Sequence, residues 1–204
     1  MIAIVPSLSR LCALFVLCSV PANAAEPLPR ELNPLRESLQ KTRRMSARFK
    51  QTRHWAVLRD SLVTQGTIRY EKGGKLVWRM DPPAESELIV DDQRATIHYP
   101  ALGTTQTLDF SAEPGLGKVF QTIRAVMEAD LESLQPLFAL RVDRKVPLSL
   151  TLTPRSPEVS RTVKKIHMEL DKALHVTLVR LDEPSGDWTE IAFHGHVIET
   201  TALK

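Results

Sequence analysis

The chain has 204 residues, 43% of them hydrophobic and 25% charged, an ordinary composition for one folded domain and too apolar for a disordered chain. Its 27 Lys and Arg against 24 Asp and Glu leave a net charge of only +3, with no basic block of the size nucleic acid requires. Fourteen prolines and eight glycines exclude a collagenous or low-complexity chain.

The apolar run Leu11–Val20 follows Arg10 and precedes Pro21 and the small triplet Ala22-Asn23-Ala24. This pattern predicts a secretory signal peptide over residues 1–24, leaving a single domain over 25–204. The run is short for a bilayer span, which takes about 20 apolar residues. Both cysteines, Cys12 and Cys18, lie inside it, so the secreted domain is expected to contain neither thiol nor disulfide. Leu17 stands before Cys18 where a lipobox would carry a small residue.

Leu28, Leu32, Leu35 and Leu39 recur at helical spacing, with Asn33 as N-cap and Pro34 at the first helical position, predicting a helix over Pro34 to Met45. The period then changes to two. Ala47 and Phe49, Ile68 and Tyr70, and Leu76, Trp78 and Met80 alternate with polar or smaller residues. Gly73-Gly74, Pro82-Pro83, Asp91-Asp92 and Gly103 punctuate these runs, and further strands are expected at Ser86–Val90, Ala95–Tyr99 and Thr105–Phe110.

After Pro114-Gly115, Phe120, Ile123, Met127, Leu131 and Leu134 place an apolar stripe on a helical insert. Strand alternation returns in Leu148-Leu150-Leu152, Ile166-Met168-Leu170, Leu174-Val176-Leu178 and Ile191-Phe193. Ten or eleven strands with one apolar face, a leading helix and a central insert predict an α+β fold. It is a strongly curved antiparallel sheet, an incomplete barrel, covered by the two helical segments.

The inward positions are Phe49, Ile68, Tyr70, Leu76, Trp78, Met80, Leu88, Val90, Ile97, Tyr99 and Phe110 from strands, with Phe120, Ile123 and Met127 from the insert. They supply an apolar face with little polar chemistry, suited to an acyl chain that costs about 0.8 kcal/mol per methylene left in water. The same alternation serves a filled core equally well. Lys41, Arg43, Arg44, Arg48, Lys50 and Arg53 form a basic cluster across the helix end and first strand, readable as a solvated face or as a contact for anionic headgroups or an acidic partner.

Catalytic motifs are sparse. His194 and His196 lie two apart on the last strand, and His167 and Glu169 do so on an earlier one, so each pair is expected to share a face, outside the sheet and opposite Phe193 and Met168. Their convergence would make a metal-dependent envelope enzyme, the alternative to a binding protein. No cofactor is expected and no nucleophile elbow or P-loop is present. A third alternative is an adaptor that binds a partner at a sheet edge.

Ala47-Arg48-Phe49-Lys50-Gln51, Gly66-Thr67-Ile68-Arg69-Tyr70, Leu76-Val77-Trp78-Arg79-Met80 with Pro82-Pro83, Leu88-Ile89-Val90-Asp91 and Ile97-His98-Tyr99-Pro100, in that order, resemble the LolA-type periplasmic lipoprotein carriers. The resemblance implies a helix-closed half-barrel that holds acyl chains and shuttles them from inner to outer membrane. It also implies a periplasmic location, an inner-membrane transporter and an outer-membrane acceptor as partners, transient contact with the membrane surface, and a monomeric carrier without enzymatic activity.

Two departures stand out. Where those carriers hold an arginine that latches the lid, this chain has Lys72, a point charge without the bidentate fork. It also ends soon after its last strand, without the extra carboxyl-terminal segment. Both departures imply a divergent branch, with lipoproteins or a lipid or polyketide-like product as cargo.

Overall fold

The computed structural model describes residues 28–91, 93–112, 125 and 130–201. The signal-peptide reading of residues 1–24, and Phe120, Ile123 and Met127, lie outside them.

The described residues form one antiparallel sheet of eleven strands in the order β6-β5-β4-β3-β2-β1-β11-β10-β9-β8-β7. These are β1 Thr42–His54, β2 Ser61–Glu71, β3 Leu76–Met80, β4 Ser86–Val90, β5 Arg94–Tyr99, β6 Thr104–Asp109, β7 Phe138–Lys145, β8 Leu148–Pro154, β9 Lys165–Leu170, β10 Val176–Asp182 and β11 Trp188–Thr200. The sheet is curved and unclosed, with β6 and β7 as its two edges. The two long strands, β1 and β11, pair with each other at its centre.

Helix α1 spans Asn33–Lys41, after a 3-10 turn at Arg30–Leu32. The expected helix ran to Met45; the chain turns extended at Thr42, whose φ of −71° and ψ of 120° open β1. The reason is pairing. Thr42, Arg44 and Met45 find ladder partners in Thr200, Glu199 and Ile198, which a further helical turn would forfeit. Asn33 is helical itself and Leu32 occupies the N-cap without a side-chain bond, so the expected Asn33 cap is not made. A one-turn helix, α2, covers Pro157–Ser160.

All four carbonyls at the end of α1 are satisfied from outside the helix. Thr42 donates its hydroxyl to Ser38 O at 3.1 Å and its amide to Leu39 O. Lys72 Nζ donates to Gln40 O at 2.9 Å, and the Thr201 amide to Lys41 O at 2.9 Å. The helix is thereby fastened to the β2–β3 hairpin and to the end of β11.

Alternation puts one face of every strand inward, and two clusters of buried side chains divide it. The first joins Leu32 and Leu35 of the leading helical segment with Leu131, Leu134, Phe138, Leu150, Met168 and Leu170. The second joins Ala47, Ile68, Tyr70, Leu76, Val90 and Ala95, with Trp78, Leu88, Phe110 and Phe193 packed against it. Helix α1 contributes to the first half only; no residue of α1 belongs to the second.

Two irregularities shift the expected alternation. Leu174 lies in a turn with φ of 66°, and the pairing of β10 with β9 slips between Val176 and Leu178. Val179 and Leu181, opposite Met168 and Ile166, therefore face inward, and Leu178 pairs with Glu169 on the outer side. The second irregularity lies at Gly195.

Candidate functional site: the inner face of strands β1 to β5

Gly66 makes the centre of this face possible. It pairs with Phe49 on one side and Met80 on the other. A Cβ there would stand 1.9 Å from the Arg79 carbonyl oxygen and 2.9 Å from the tip of the Phe49 ring, so only glycine admits both neighbours. The Phe49 ring fills the space over the glycine and meets Trp78 at 4.2 Å between centroids. Phe193, opposite Phe49 on β11, also meets Trp78, edge-on at 6.1 Å.

Of the inward residues expected from sequence, Phe49, Ile68, Tyr70, Leu76 and Val90 are buried, from 1% to 6% exposed. Trp78, Met80, Leu88, Ile97, Tyr99 and Phe110 are half-buried. Trp78, Leu88 and Phe110 pack on the second cluster, while Met80, Ile97 and Tyr99 are outside it, toward the β3–β4 and β5–β6 loops. Sequence reasoning placed Ala47 in the alternation and Ala95 at the start of a strand but left both out of the inward lining, where they are buried in that cluster, because a methyl group offers little apolar area. It also missed Gly66, whose only signal was its place inside a strand.

The basic cluster does not share one face. Arg44 lies outside, donating from Nε and Nη2 to Glu71 Oε1 at 3.1 and 2.9 Å, and this pairing holds its charge more firmly than usual. Arg53 alternates onto the inner side, where it pairs with Glu183 at 3.0 Å and donates to Thr189 Oγ1. Arg48 and Lys50 remain on the outer face, as strand alternation requires. On that outer side a depression of about 280 Å³ is lined by Thr67, Arg69, Val77, Arg79, Glu85 and Glu87 among others.

The histidines also part company. Gly195, with φ of 63°, is an extra residue in β11: Arg48 pairs with His194 and Ser46 with Val197. This bulge leaves His194 exposed on the outer face and turns His196 to the inner one, contrary to the expectation that they share a face. His196 Nε2 lies 2.9 Å from the Val176 carbonyl, to which it donates, and its ring stacks on His175 at 5.2 Å.

Burial pushes the His196 pKa down, as do the neighbouring His175 and His194, against the upward pull of Val176 O and Asp171. His167 and Glu169 do share the outer face, 3.4 Å apart, beside Asp143 at 3.6 Å from the ring. They are two strands away from His194. Asp143 and Glu169 flank opposite nitrogens of His167, and among the described residues no three His, Cys, Asp or Glu side chains are placed to hold one metal ion.

Asp91 closes the β4–β5 turn, accepting from the amides of Gln93 and Arg94. The Gln93 bond is the largest influence holding its carboxylate below the ordinary range. Lys72, the expected latch, bonds the end of α1 as described above.

An unclosed, curved antiparallel sheet with a helix laid on one half of its apolar face defines a class of half-barrel proteins. Residues 40–202 match the family of the outer membrane lipoprotein carrier protein LolA, and the chain belongs to that family. No curated protein matches it by sequence. Among solved structures it is similar to an uncharacterized conserved protein from Thermus thermophilus, with a TM-score of 0.49 and 7% identity over 84% of this chain and 87% of that one. A LolA superfamily protein from Nitrosomonas europaea gives 0.40 and 8% over 82% and 93%. A putative outer membrane lipoprotein-sorting protein domain from Vibrio parahaemolyticus gives 0.42 and 11% over 83% and 91%.

Proposed function

We propose that the protein is an extracytoplasmic carrier that takes an acylated cargo, a lipoprotein or a lipid or polyketide-like product, onto the inner face of β1 to β5 and delivers it toward the outer membrane. One observation carries this reading. The helix α1 fills only the β7–β10 half of the apolar face, and the other half centres on the half-buried Trp78, in ring contact with Phe49 and Phe193. Membership of a lipoprotein-carrier family supports it, as does the amino-terminal pattern of a secreted chain.

On this reading the acyl chain lies along Ile68, Leu76, Trp78, Met80, Leu88 and Tyr99. Lys72 is the latch of the helical cover. The carrier performs no covalent chemistry; cargo moves to whichever acceptor binds it more tightly. A transporter in the inner membrane loads it and an acceptor in the outer membrane receives it.

A dansyl-labelled undecanoic acid titration tests this. Dansyl emission is expected to rise on binding, and Trp78→Asp to weaken binding by at least about tenfold, the loss of part of one aromatic contact. Trp78→Phe, which keeps the apolar ring, retains binding. Equal affinity in Trp78→Asp would remove the site from this face. Native mass spectrometry of protein purified from its own envelope then identifies the acyl species it carries.

A further inference from the structure

Seven large hydrophobic side chains stand exposed among the described residues, and five of them gather at one end of the sheet. Strands β1, β3 and β5 run parallel to one another, so the β1–β2 tip and the β5–β6 turn project from the same rim. The first carries Val57, 91% exposed, with Leu58, Leu62 and Val63; the second carries Leu102, 72% exposed. Four strand spacings of about 4.8 Å put the two loops roughly 19 Å apart across the strands, and the β1–β2 hairpin extends five residues, about 17 Å, past the level of Tyr99, so strands inclined by about 40° bring both tips to one plane. The other two exposed residues, Val146 and Val197, lie elsewhere, in the β7–β8 turn and on β11.

Immediately behind the tips sit two indoles. Trp55 has the Arg53 guanidinium 5.4 Å from its ring, and Trp188 has Arg180 at 4.3 Å and His54 stacked at 5.4 Å. Apolar tips backed by half-buried tryptophans with cations against them reproduce the layering of a bilayer boundary, with aliphatic groups deepest and aromatic rings at headgroup level. Acidic groups are in excess on the rim: Arg53 pairs with Glu183 and Arg180 with Asp182, while Arg59 is set against Asp60, Asp187 and, on the β3–β4 loop, Asp81 and Glu85, so the rim offers no cationic patch to anionic headgroups. A rigid protein partner requires a continuous surface of about 800 Å². These side chains instead stand on separate loops across a polar gap, which a fluid surface accommodates and a rigid one does not.

We infer that this rim docks on the surface of a lipid bilayer, by insertion of the 57–58 tip and Leu102, independently of headgroup charge. The inference does not depend on the carrier reading, since a chain that held no acyl cargo would dock in the same way.

Phosphatidylcholine vesicles with brominated acyl chains, mixed with the full chain, test it through tryptophan quenching. Quenching is expected, nearly unchanged between about 0.05 and 0.5 M salt, a range over which screening of charges changes strongly. Trp55→Phe and Trp188→Phe should each reduce it, the two together should remove most of it, and Trp78→Phe should leave it. The double change Val57→Asp with Leu58→Asp should lower vesicle partitioning at least about tenfold, whereas Val197→Asp, exposed on another face, should alter it less than about twofold.

Absence of quenching, or quenching lost through Trp78→Phe instead of through the joint Trp55→Phe and Trp188→Phe change, overturns the proposal; the latter would mean that lipid had entered the inner face. Intact quenching with no dansyl-fatty-acid binding would strike the carrier reading alone.

Discussion

Gly66 and Gly195 show how much a single residue decides here. At Gly66 the missing carbon lets Phe49 lie over the β2 backbone and reach Trp78. Gly66→Ala is expected to cost about 3 kcal/mol in urea denaturation, at the upper end for an overpacked site, because the contact is with backbone that cannot swing aside. Gly73→Ala, where φ is 67° and nothing lies within 4 Å, should cost only about 1 kcal/mol of backbone strain. Gly195 sends His196 inward, a result invisible to a reading by twos, since one inserted residue exchanges the faces beyond it. Burial depresses the His196 pKa, so the folded state resists a proton that the unfolded chain accepts near its ordinary value of about 6.5. Stability present above that pH is therefore lost as pH falls from the unfolded pKa toward the folded one. His196→Gln, which keeps an N–H for Val176 O, should show a smaller fall in urea midpoint between pH 7.5 and 5.5, about one unit either side of that ordinary value, than the parent protein.

Helix α1 is defined more by how it ends than by what it contains. Its apolar spacing was legible because Leu32, Leu35 and Leu39 repeat every three to four residues and bury against the first cluster. Its end was not, since Thr42 to Met45 are equally acceptable in a helix and only partners on β2 and, more than 150 residues away, on β11 make them a strand. The same remoteness hid the borrowed donors on its last carbonyls. Lys72 was singled out only through the resemblance, as standing where the carriers hold an arginine, and its bond to Gln40 O gives that position a physical role as a cation at a helix C-terminus. Lys72→Met should speed amide exchange in Leu35–Lys41 by up to about fivefold, with Lys72→Arg close to the parent chain; hydrogen exchange resolved by residue measures it. Equal exchange in all three would mean that Thr42 and Thr201 hold the helix end by themselves.

The sheet as a whole was readable from turn residues and alternation, because each strand of β2 to β6 is bounded by glycine, proline or aspartate and pairs with its neighbour in sequence. The centre was not, because β1 with β11 joins the two ends of the chain and no local pattern announces such a pairing. The edges differ in character. Strand β7 carries Arg141, Arg144 and Lys145 and an irregular register, features that discourage another strand from adding; β6, with Thr104, Thr105, Gln106 and Thr107, is regular and uncharged until Asp109. Thr107→Lys should therefore reduce aggregation on refolding by about half or more, read by light scattering, without moving the urea midpoint. These two edges have a further consequence through the chain that joins them. Residues 110–137 leave β6 at one margin and enter β7 at the opposite margin, so this stretch is moored at both ends, whereas α1 is tied to the sheet covalently only where it enters β1. A bucket handle can be raised yet never removed, while a hinged flap swings clear. Any widening of the seam must be shared along that one tether, so its length sets how far the margins can part.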